Sequence, residues 1–129
     1  MRLALIVIVL LSVPSAGSTE PADIAPARDP AIALSEEFTA ALSMPANAGL
    51  IGFLARHPDS PEAEHGRDVL RARPSPDTAP AADPDGEVWL AFDQARIVGT
   101  PEAMEAFAAR YPGHPLALEA ARPIWTAGQ

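Results

Sequence analysis

The sequence predicts an all-α protein built from two three-helix units. Short apolar stripes with helical spacing recur along the chain, prolines punctuate them, and the same arrangement returns 54 residues later. Apolar residues at i, i+3, i+4 and i+7 share one face of a helix, whereas strict alternation would mark a strand.

Met1-Arg2, the run Leu3–Val13, apolar apart from Ser12, and the small-residue stretch Pro14–Ser18 form the three-part pattern of a secretory signal peptide. Residues 1–17 are assigned to it, with cleavage after Gly17 and Ser15 at −3; cleavage after Ser18 is the close alternative. The run is about half of the ~20 residues that span a bilayer, and no second apolar run follows it in the sequence. The mature chain is therefore expected outside the cytoplasm, periplasmic or secreted, with no membrane contact after cleavage. Residues 18–29 contain Pro21 and Pro26 with little periodicity and read as a flexible tether.

The first helical unit covers residues 30–73. Asp29 supplies a side-chain cap and Pro30 suits the first helical position; Leu34, Phe38, Ala41 and Leu42 make one apolar face, and Pro45 stops the helix. Leu50, Phe53, Leu54 and His57 form the second stripe, ended by Pro58. Ser60-Pro61 opens the third helix, with Glu62 and Glu64 at its positive end, Val69 and Leu70 as its apolar contacts, and Arg71 and Arg73 at its negative end. Residues 74–85 are a Pro-rich linker, because successive prolines remove donors and clash with helical carbonyls.

The second unit covers residues 86–127. Asp85-Gly86 precedes a helix with Val88, Phe92, Ala95 and Val98 on one face, flanked by Trp89. Gly99-Thr100-Pro101 stops it and starts the next, whose stripe is Met104, Phe107, Ala108 and Tyr111. Pro112–Pro115 turns the chain into a last helix, Leu116–Arg122, which Pro123 ends or kinks before Ile124 and Trp125. The units align without a gap: Leu34 with Val88, Phe38 with Phe92, Leu50 with Met104, Phe53 with Phe107, His57 with Tyr111, Pro58 with Pro112, and Pro61 with Pro115.

Phe107-Ala108-Ala109-Arg110-Tyr111-Pro112-Gly113-His114-Pro115-Leu116-Ala117 resembles the helix-turn-helix joint of tetratricopeptide-like repeats in exported bacterial proteins, and Phe53–Ala63 is similar. The lead-in Trp89-x-x-Phe92-x-x-Ala95 also resembles helical repeats attached to other exported bacterial domains. The resemblance implies antiparallel helical hairpins in a small tetratricopeptide-like repeat, with a scaffold or peptide-binding role and no catalytic residue. The family's usual repeat is about 34 residues; here the recurrence is 54, with the Pro-rich stretch inserted.

Composition narrows the function. The chain has 129 residues and a net charge of −8, and all 9 of its basic residues are Arg. That balance disfavours nucleic acid, whose phosphates demand basic surface, and anionic lipid for the same reason. With no cysteine, disulfides, thiol catalysis and Cys-ligated zinc are ruled out; with no lysine, so is a Schiff base. Large apolar residues are sparse and Ala is abundant, so a thin core is expected.

His57, His65 and His114 are the only histidines, and His57 reads as a packing residue with a polar edge, occupying the slot of Tyr111. Asp83-Pro84-Asp85-Gly86 has the front of a calcium loop, but Gln94 stands where the closing Glu belongs, so a turn and helix cap are expected instead. Glu36 and Glu37 point to different sides of a helix and cannot share a proton; both are expected in solvent. No catalytic, cofactor or metal site is assigned. Trp89, Tyr111 and Trp125 are the candidate partner-binding residues, with core packing as the alternative for both tryptophans. The expected function is a non-enzymatic interaction module, or an accessory subunit of an envelope complex, for a protein or peptide partner in the cell envelope. A small exported enzyme with an unrecognised site and a membrane-tethered spacer are the alternatives. Oligomeric state stays open.

Overall fold

A computed structural model describes Gly17 and residues 26–127; the expected signal peptide, save Gly17, and most of the tether lie outside the described residues. The described chain folds into α1 (Pro30–Ser43), α2 (Ala48–Arg56), α3 (Pro61–Arg71), α4 (Gly86–Val98), α5 (Pro101–Arg110) and α6 (Pro115–Ala120), followed by a 3-10 turn, Pro123–Trp125. No strand occurs among the described residues, so the all-α class holds.

Local chemistry sets the boundaries. The side chains of Asp29, Ser60 and Thr100 accept hydrogen bonds from the N–H groups of Ala31, Ala63 and Ala103 at 2.9, 3.1 and 3.2 Å, each just before a helix-opening proline. Such caps satisfy donors that have no partner within the helix. Gly99 ends α4 with φ at 71°, a left-handed conformation that costs glycine nothing. Gly86 opens α4 where a Cβ would collide with the carbonyl oxygen of Ala81.

Residues 54 positions apart meet equivalent neighbours. Phe38 packs on Phe53 with ring centroids 5.1 Å apart, and Phe92 on Phe107 at 5.4 Å. Phe53 then meets His57 at 5.0 Å, and Phe107 meets Tyr111 at 5.2 Å. His57 and Tyr111 close their helices with similar backbone angles, φ −133° and −123° with ψ 55° and 57°.

The centre of the molecule is α2, which packs against α1, α3, α4 and α6. Leu50, Ile51, Gly52, Phe53 and Leu54 are consecutive and all buried, so the middle of this short helix is covered on every side. A nine-residue helix is marginal by itself in water, and packing holds it. One apolar core runs through both halves, from Phe38, Leu50 and Phe53 to Phe92, Phe107, Leu116 and Trp125.

Two elements depart from the sequence reading. The buried face of α4 is Trp89, Phe92, Asp93 and Arg96, while Val98 is exposed and Val88 and Ala95 are half-buried. The apolar pattern misplaces this face because two of its buried members are charged. The last helix ends at Ala120 rather than Arg122, since Pro123 reopens the chain as a tight turn that carries Trp125 into the core.

Those buried charges organise the Pro-rich stretch. The Asp93 carboxylate, with no exposed surface, accepts the side-chain amide of Asn47 at 3.1 and 3.2 Å, the backbone N–H of Asp77 at 2.6 Å, and Arg96 Nε at 2.7 Å. Arg96 Nη1 continues to the carbonyls of Leu70 and Arg73, at 2.7 and 3.2 Å, at the end of α3. The Asp77 carboxylate in turn caps α2, accepting the N–H groups of Asn47 and Ala48, each at 2.9 Å. Residues 74–85 are thus a pinned strap, not a free spacer.

A second buried pair joins α3 to α6. Arg67 Nε and Nη2 meet Glu119 Oε1 and Oε2 at 2.7 and 3.0 Å, with Arg67 Nη2 also donating to the carbonyl of Pro58 at 2.7 Å. Arg122 Nε and the Trp125 indole N–H complete the Glu119 carboxylate at 2.8 and 3.2 Å.

Removing one member of such a buried set leaves uncompensated charge. Asp93→Ala is expected to lower unfolding stability by about 3–5 kcal/mol, whereas exposed Glu105→Ala changes it by about 0.5 kcal/mol or less. Urea denaturation of both variants checks the contrast.

Candidate partner-binding groove

A groove of about 520 Å³ opens between α1, α2, the strap and Trp89 of α4. Its floor is Ala40, Ala41, Met44, Gly49 and Trp89, and its rim carries Glu37, Arg56 and Asp83. It lies where the two halves meet, with α1 and α2 on one side and the strap and Trp89 on the other.

Each wall follows from local packing. Gly52 lies beneath the Trp89 indole, where an added Cβ would sit 2.9 Å from the ring; only glycine lets the indole lie this close to α2. Met44 follows the end of α1, is half exposed, and has its sulfur beside Gly49. A thioether on an unbranched chain adapts readily to an apolar neighbour. Trp89 itself is only 8% exposed, and its indole N–H has no hydrogen-bond partner in the described structure.

The rim contains an ion-paired cluster. Glu37 Oε1 accepts Arg56 Nε at 2.8 Å, and Glu37 Oε2 lies 2.9 Å from His57 Nε2. Partial burial would push the Glu37 carboxyl up; hydrogen bonds from Arg56 and His57, together with their charges, outweigh that and hold it below the ordinary value of 4.5. The expectation that Glu37 is simply solvated is thereby corrected: its neighbours across α2 hold it. Glu36, on another side of α1, pairs in solvent with Arg28 at 2.9 Å.

No family model, curated protein or solved structure matches the chain.

The structure separates the three aromatic candidates. Trp89 forms part of the groove floor. Tyr111 is half-buried beside a second, smaller hollow of about 260 Å³ between α4 and α5, with Arg110 5.3 Å from its ring centre. Trp125 is 5% exposed, stands edge-on to Phe92 with centroids 5.4 Å apart, and holds Glu119; its place is in the core.

The histidines are also apart in role. His57 joins the rim cluster, His65 lies edge-on to Phe38 at 5.4 Å, and His114 Nδ1 caps α6 by accepting the N–H of Leu116 at 3.1 Å. Among the described residues, no group of three or more His, Cys, Asp or Glu side chains is placed to hold a metal ion. No described helix is long and apolar enough to cross a membrane. The sequence reading missed Met44, Gly49 and Ala40 as groove residues, because small side chains and a methionine at a helix end carry no local signature.

A carboxyl whose folded pKa is depressed adds stability above its unfolded value, and that stability is lost as pH falls through the folded one. Glu37→Gln is therefore expected to be less stable than wild type at neutral pH, with the gap closing as pH drops below 4.5. Paired denaturation curves across that range check the sign; a gap that persists at the acid end contradicts it.

Proposed function

We propose that the chain is an exported, periplasmic, non-enzymatic protein with a small tetratricopeptide-like helical repeat, and that it grips a partner protein in the cell envelope through the Trp89 groove. The observation that carries this reading is the groove itself: an open apolar trough at the junction of the two halves. Preformed apolar surface on a rigid frame binds at a lower ordering cost than a surface that must assemble. The Asp93 network ties the start of α2, the strap and α4 together beside the trough.

Other features support parts of the reading. The equivalent ring pairs and helix ends at 54-residue separation fit a repeat. The three-part leader supports export. The aromatic and methionine side chains in the groove suit protein recognition, since such residues dominate interface energetics. Of the candidate anchors, Trp89 is the one the groove presents; Trp125 contributes by holding α6 in place.

Filling the groove tests this directly. Ala40 is exposed on α1 and lines the trough, so Ala40→Trp occupies it without entering the core. Affinity capture from an envelope extract is expected to retain a specific partner with wild type and to lose it with Ala40→Trp, at unchanged circular dichroism. Equal capture by both contradicts the proposal.

A further inference from the structure

Resting on that groove reading, we infer that the segment it takes is apolar and carries a basic side chain, positioned against the acidic rim at Asp83. The floor selects the apolar part: Ala40 and Ala41 are small, and the Met44 side chain, which lies over Gly49, is half exposed and can adapt to a neighbour.

The rim selects the charge. Its basic groups are already engaged: Arg56 Nη2 meets Glu37 Oε1 at 2.7 Å, His57 Nε2 lies 2.9 Å from Glu37 Oε2, and Arg73 donates to the carbonyls of Ala46 and Met44 at 3.3 and 3.5 Å. Asp83 stands exposed on the strap and forms no ion pair among the described residues; its Oδ1 accepts the N–H of Asp85 at 2.9 Å, which fixes the carboxylate in place. Asp83 is thus the lining carboxylate that no described cation meets, and the net charge of −8 on the chain adds to its pull on a cation. Charge of this kind steers and orients cationic partners. It also disfavours a second copy of the same acidic chain as occupant, and it repels an acidic segment.

The probes are a short dye-labelled Leu/Ala peptide carrying one Arg and its counterpart with Glu in that place, each titrated by fluorescence anisotropy against the mature chain at low salt. The Arg peptide is expected to bind more tightly by about threefold or more, the range of an exposed charge pair, and the advantage shrinks as salt rises. Asp83→Asn keeps the acceptor for Asp85 but removes the charge, so the advantage should disappear in that variant while the fold is unchanged. Ala40→Trp should abolish binding of both peptides. Equal affinity for the two peptides, or a preference that survives Asp83→Asn, overturns the inference while leaving groove binding in place. Binding that survives Ala40→Trp, or no binding of either peptide, overturns it as well; extract capture lost in Ala40→Trp would then still support the groove reading by itself.

Discussion

The buried carboxylate of Asp93 is the point on which the architecture turns. A charge without solvent is costly unless it is fully hydrogen-bonded, and here its partners come from three parts of the chain. Asn47 stands at the start of α2, Asp77 in the strap and Arg96 in α4, and Arg96 extends the network to the last carbonyls of α3. A hydrophobic core alone has no strong preference for one arrangement of Ala-rich helices. A buried polar set satisfied in one geometry does, because any slip of α4 against α2 would strand a charge.

The same network explains how a Pro-rich stretch serves a small protein. Prolines restrict the unfolded chain and so reduce the entropy lost when the strap is fixed. Asp77 then caps the central helix from thirty residues away, a task that local residues perform for α1, α3 and α5. Asn47 precedes α2 but makes no side-chain cap; its amide is directed to Asp93 and to the carbonyl of Ser75. With the strap in place, Ala81 and Asp83 become one wall of the groove. The stability of the fold and the shape of this trough thus rest on the same contacts.

What the sequence discloses follows from how local each cause is. Asp29, Ser60 and Thr100 with their prolines mark helix starts that need only neighbouring residues, and the structure places the helices there. The Phe38, Phe53, Phe92 and Phe107 core is legible from periodicity. Asp93, Arg96, Arg67 and Glu119 are not, because charged side chains are read as surface unless their partners are known. Those partners lie 46 positions away for Asn47 and Asp93, and 52 for Arg67 and Glu119. Trp89 was legible as a special residue but not as a groove floor, since that role depends on Gly52 beneath it and on the strap beside it.

Hydrogen exchange at the strap tests the central claim most directly. If the Asp93 network ties the strap into the fold, the backbone amides of Asp77, Asn47 and Ala48 exchange only when the whole protein unfolds, with the same protection as the amides of Phe53 and Leu54 in the core of α2. Exchange of Asp77 and Ala48 at the rate of an open loop, with the α2 core still protected, would contradict it.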